Sequence, residues 1–100
     1  MPTIVVRYRT KPEHADENQR LAEAVFADLA ATTPAGLRYS TLRLADNTFV
    51  HIAEADEGAN PLNESAAFAE FVAGVGDRCE PGEGPNPQPA TRVGSYGVSA

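Results

Sequence analysis

Six elements follow one another in the order strand, helix, strand, strand, helix, strand within 100 residues. Few folds accept that order. Right-handed crossovers place the strands in one four-stranded antiparallel sheet, spatial order 4-1-3-2, with both helices on one face. The other face has nothing in the chain left to cover it. The class is α+β.

The elements are read from local signals. Thr3-Ile4-Val5-Val6-Arg7-Tyr8-Arg9 is β-branched and forms strand 1. Lys11-Pro12 ends it, and Pro12 suits a first helical turn. Glu13, Asp16 and Glu17 put acid where the helix dipole favours it. Leu21, Val25 and Leu29, with Ala22 and Phe26, recur at helical spacing, predicting helix 1 over about Glu13 to Ala31. Thr33-Pro34-Ala35-Gly36 stops it.

Strand 2 spans Leu37 to Leu44 and strand 3 Thr48 to Glu54. Ala45-Asp46-Asn47 between them is short enough only for a hairpin. A three-residue loop pairs Leu42 with Val50 and Arg38 with Glu54 on one face. It pairs Arg43 with Phe49, Thr41 with His51 and Tyr39 with Ala53 on the other. A two-residue loop would mix the faces. The first register supplies an aliphatic face for the helices and opposes unlike charges.

Ala55 to Asn60 is a polar connection. Asn60-Pro61 or Asn63 can open helix 2, with Ser65 as a later cap. Phe68, Phe71, Val72 and Val75 form its apolar stripe, and Gly74 and Gly76 fit its end. Glu80 to Ala90 holds Pro81, Pro85, Pro87 and Pro89. It reads as an extended arm, neither helix nor central strand, that serves as a lid or as a strap across a partner subunit. Thr91 to Val98 is then strand 4.

Phe68, Phe71, Leu21 and Val25 supply the expected core. Tyr39, Thr41, Phe49, His51 and part of strand 1 fall on the opposite, uncovered face. An exposed aromatic face marks an interface, and the economical cover is a second copy in a two-fold dimer.

Charge narrows the function. The net charge of −6 argues against nucleic acid, which needs a basic face. No stretch is long and apolar enough to span a membrane. The single cysteine, Cys79, allows no internal disulfide, and a reducing cytoplasmic setting follows. No His/Cys/Asp cluster has metal spacing. Arg7, Arg9, Arg38, Arg43 and Arg92 fall on predicted strands, where only Glu54 is acidic. They either give a cavity over the sheet a positive potential or face solvent and pair across a dimer.

The Ile4–Tyr8 strand, the Pro34-to-Tyr39 entry to strand 2, the Leu42–His51 hairpin, the Phe68-Ala-Glu-Phe71 helix and the Val93–Tyr96 strand carry a resemblance that covers nearly the whole chain. The chain resembles the dimeric α/β-barrel superfamily, specifically the antibiotic biosynthesis monooxygenase-like domains, whose fold is ferredoxin-like. That resemblance implies a homodimer joined through open sheet faces, with a small-molecule cavity between sheet and helices. It implies cofactor-free oxygenation of polyketide-like aromatics, haem breakdown or quinol oxidation as activities. The chain has no Trp, and Ala53 and Ala55 stand where catalytic members often carry one. The Asn–Trp–His set of haem-degrading members is not reproduced.

Cofactor-free oxygenation needs a general base, oxyanion donors and a dry pocket, and no cofactor. His51, the only strand histidine, is the candidate base, and Tyr39 the accompanying catalytic residue. Tyr8, Arg7, Arg9, Phe49, Tyr96 and Phe68 are candidate ligand contacts. The alternative is that His51 is a satisfied core or interface residue and the protein a non-catalytic, homodimeric small-ligand binder.

Overall fold

The computed structural model describes residues 3–56 and 61–97. Residues 57–60, including the Asn60 start considered for helix 2, and Val98, the expected end of strand 4, lie outside the described residues.

The elements are β1 (Thr3–Arg9), a 3-10 turn (Pro12–His14), α1 (Ala15–Thr32), β2 (Leu37–Arg43), β3 (Thr48–Ala55), a second 3-10 turn (Pro61–Glu64), α2 (Ala66–Ala73), a one-turn α3 (Val75–Arg78) and β4 (Asn86–Ala90). The sheet is antiparallel with order β2-β3-β1-β4, the order expected. Helix α1 ends where Thr33 turns left-handed and its N–H bonds the Leu29 carbonyl. Ser65 caps α2 by accepting from the Phe68 N–H at 3.1 Å.

The hairpin register is the one the sequence predicts. Leu42 pairs Val50, Arg38 pairs Glu54 and Thr41 pairs His51. Asn47 takes the left-handed conformation at φ 68°.

The assignment of the two sheet faces is reversed. Tyr39, Thr41, Phe49 and His51 were expected on the uncovered face. They lie beneath the helices instead, with Phe49 and His51 only 1% and 5% exposed. Val5, Val50, Ile52 and Leu42 alternate onto the open face, and Leu42 is 54% exposed. Aromatic packing decides this. Phe26 and Phe71 project from the helices and require flat partners, which the aliphatic face does not offer.

The fourth strand is also a different segment. Asn86–Ala90 pairs with β1, so the second half of the proline-rich arm is an edge strand of the sheet. Pro87 and Pro89 share one parity, which leaves Asn86, Gln88 and Ala90 able to donate to β1. Proline is tolerated because the strand is an edge. Residues 91–97, expected as strand 4, form no strand, and Val93 and Tyr96 are 100% and 98% exposed.

The core gathers Tyr8, Ala22, Val25, Phe49, Leu62, Phe71 and Cys79, with Leu21 and Phe68 packed against it. The expected Phe71 and Val25 are buried; Phe68 and Leu21 are half-buried. Among the described residues no helix is long and apolar enough to cross a membrane.

Candidate functional site

Five rings stack in a row across the helix side of the sheet: Phe26, Tyr39, His51, Tyr8 and Phe49. Centroid separations run from 5.0 Å for Phe26–Tyr39 to 5.8 Å for Tyr39–His51. Registry builds the row. Tyr8 faces Phe49 across β1 and β3, while His51 sits two residues further along, between Tyr8 and the β2 residue Tyr39. Phe71 closes over His51 at 5.4 Å.

A chain of hydrogen bonds runs through the same residues. Arg78 Nε donates to Asn18 Oδ1 at 2.9 Å. Asn18 Nδ2 donates to the Tyr8 hydroxyl at 2.9 Å. The Tyr8 hydroxyl lies 2.7 Å from His51 Nε2, and the Tyr39 hydroxyl 2.6 Å from His51 Nδ1. Thr41 Oγ1 is 3.0 Å from the same Nδ1. Asn18, Tyr8, His51 and Arg78 are all buried, and among the described residues no buried side-chain polar atom lacks a partner.

Burial sets the protonation states. It lowers the His51 pKa to about 4, so the ring is neutral at pH 7. It raises both tyrosines, and for Tyr8 the Asn18 hydrogen bond opposes only part of that. Arg78 carries the buried charge. Its guanidinium lies over Phe71 at 5.1 Å, donates to the Phe71 carbonyl, and forms no ion pair among the described residues.

Two cavities stand out among the described residues. One, of about 300 Å³, is an open cleft of mainly apolar residues, lined by Phe26, Leu29, Ala30, Thr33, Pro34, Leu37 and Tyr39. The other, of about 410 Å³, is polar, and Arg7, Arg9, Glu83 and Asn86 contribute to it. His51 lines neither.

The structure thus brings together His51, Tyr39, Tyr8 and Phe49, with Phe68 behind them. It separates Arg7 and Arg9, which stand on the open face, and Tyr96, which stands in solvent. Arg7 and Arg9 line the polar cavity, where Arg9 lies 3.8 Å from Glu83, and the other three arginines expected on strands are drawn into ion pairs. Arg38 and Arg92 both reach Glu54, at 2.8 and 3.5 Å, and Arg43 pairs with Asp16. Hydrogen bonds from Arg38 and then Thr3 hold the Glu54 carboxyl down to about 2. The Cys79 thiol is buried against the Val75 carbonyl, and burial raises its pKa, so it is a poor nucleophile. Among the described residues no group of three or more His, Cys, Asp and Glu is placed to hold a metal.

Asn18 and Arg78 are absent from the sequence-based site. Asn18 had a signal: it shares the α1 stripe of Ala15, Ala22 and Val25, where a polar side chain must have a buried partner. Arg78, sixty residues away in sequence, had none.

The sequence matches no protein-family model and no curated protein. Solved structures are more informative. A crystal structure of an antibiotic biosynthesis monooxygenase superposes with a TM-score of 0.71, covering 94% of this chain and 100% of its own at 18% identity. The chain has the fold of the antibiotic biosynthesis monooxygenase-like structures. A Pseudomonas aeruginosa protein matches at TM-score 0.70 and 19% identity, over 93% of this chain and 95% of that one. A Nitrosomonas europaea protein of unknown function matches at 0.69 and 19%, over 99% and 95%. At these identities the likeness establishes the ferredoxin-like fold and leaves activity to the site.

Proposed function

We propose that this protein is a cytoplasmic homodimer that binds a small, flat, aromatic or polyketide-like molecule in the cleft beside Tyr39, without a cofactor. The observation that carries this reading is the position of Tyr39. It lines a cleft of mainly apolar residues and its hydroxyl also ends a buried hydrogen-bond chain, so one residue joins the cleft to the chain. A cleft of about 300 Å³ suits a two- or three-ring molecule. Phe26, which also lines the cleft, stacks on Tyr39 at 5.0 Å and holds that ring in place. Dimerisation would cover the open face around Val5, Val50 and Ile52.

Binding is favoured over His51-dependent catalysis. Both ring nitrogens of His51 are engaged, and burial makes the ring a weak base near neutrality. A second reading, cofactor-independent monooxygenation, draws its support from the fold shared with the structure named for that activity. It requires a phenolic substrate acidic enough to ionise with little help from His51. Binding of a panel of anthrone-like phenols and flat ketones, followed in parallel with dioxygen consumption, separates the two. Binding with flat oxygen traces supports the ligand-binding protein. Oxygen uptake that depends on the phenol supports the oxygenase, and no binding by any member contradicts both.

A further inference from the structure

The hydrogen-bond chain has a direction, and Arg78 sets it. Guanidinium nitrogens only donate, so the Asn18 oxygen must face Arg78 and the amide NH₂ must face Tyr8. The Tyr8 oxygen therefore accepts from Asn18, and its own proton goes to His51 Nε2, 2.7 Å away, the other partner of the hydroxyl among the described residues. A neutral imidazole carries one proton, which then resides on Nδ1. Nδ1–H donates to the Tyr39 oxygen at 2.6 Å, with Thr41 Oγ1 alongside at 3.0 Å. Tyr39 thus accepts from inside the protein and keeps its own proton. That proton is free for Thr41 or for a molecule in the cleft.

We propose that Arg78 and Asn18 are positioning residues that fix the Nδ1–H tautomer of His51 and so make Tyr39 a one-way hydrogen-bond donor, selecting ligands that present a carbonyl oxygen. This rests on the cleft reading given under Proposed function. It also accounts for a buried arginine without a carboxylate partner among the described residues. A carboxylate in the place of Asn18 would pair the charge but reverse the chain. Tyr8 would donate to it, His51 would hold its proton on Nε2, and Tyr39 would donate inward to Nδ1.

The near-isosteric Asn18→Asp variant therefore tests the proposal. Nitrogen NMR of His51 distinguishes bare from protonated ring nitrogens directly. The expected wild-type spectrum has bare Nε2 and protonated Nδ1, and Asn18→Asp exchanges them. A wild-type spectrum with Nε2 protonated overturns the proposal, and this arm needs no variant to fold. An unchanged tautomer in folded Asn18→Asp also overturns it. The ligand arm compares 9-fluorenone with fluorene, which lacks the carbonyl. Wild type should prefer fluorenone by up to about tenfold, one hydrogen bond's worth, and Asn18→Asp should show no preference. Equal wild-type affinities overturn the selectivity. Failure of both probes to bind overturns the cleft reading beneath it and leaves the tautomer result standing, so the two failures are distinguishable.

Discussion

The Tyr8 hydroxyl and His51 Nε2 lie 2.7 Å apart, stacked ring against ring, beneath α1 and α2. The pairing holds His51 within the buried core. Tyr8→Phe removes the hydroxyl and leaves both His51 Nε2 and the Asn18 NH₂ without a buried partner. The expected cost is about 1–3 kcal/mol, read as a lower urea midpoint with an unchanged slope.

Stability should fall on mild acidification because of His51. Its folded pKa, about 4, lies below the ordinary value of 6.5. The unfolded chain therefore takes up the proton first as pH drops. The stabilisation is fully present above pH 6.5 and is lost between 6.5 and 4, amounting to about 3 kcal/mol for a shift of that size. Urea melts at pH 7, 6, 5 and 4 should trace this slope, and His51→Gln should flatten it. Glu54 adds a separate limb lower down. Its folded pKa of about 2, against 4.5, places that loss between pH 4.5 and 2.

Gly74 is kept small by Arg78. A Cβ there would meet Arg78 Nη1 at 2.9 Å. The guanidinium cannot retreat without giving up Asn18 or the Phe71 carbonyl. Gly74→Ala should therefore destabilise by about 1–3 kcal/mol, the usual cost of overpacking, whereas Gly76→Ala, with nothing within 4 Å, should not. Thermal melts of the two variants side by side check the contrast.

Dimerisation should respond to the open face. Val50→Arg places a charge at the centre of the surface that Val5, Ile52 and Leu42 share, and should convert a dimer to a monomer in sedimentation velocity without loss of fold. Substitution of Val93 or Tyr96, both exposed and outside the strands, should leave the dimer in place if the sheet alone joins the subunits.

What the sequence conveyed well was pairing, because pairing depends on loop length and parity. The Leu42–Val50 and Thr41–His51 register follows from one short loop ending in Asn47. Which face turns inward was not legible in β3, where Phe49, His51 and Ala53 alternate with Val50 and Ile52 and both sets can be buried. The choice falls to Phe26 and Phe71, contributed by other elements. Prolines hid β4, since two of its residues cannot donate to a ladder, yet an edge strand needs only one row of donors. The site was half visible for a related reason. Tyr39, His51 and Tyr8 stand out by type, but the Asn18–Arg78 bond that orders their protons spans 60 residues and leaves no local trace.

Location of a bound ligand is the most direct test of the function. Backbone amide spectra of the full chain, titrated with 9-fluorenone, should show saturable shifts at Phe26, Ala30, Leu37 and Tyr39, which line the cleft. Tyr39→Phe should weaken that binding by up to about tenfold, the worth of one hydrogen bond. Shifts confined to Arg7, Arg9 and Asn86 at the polar cavity, or no saturable shift at all, would contradict a ligand site built on Tyr39.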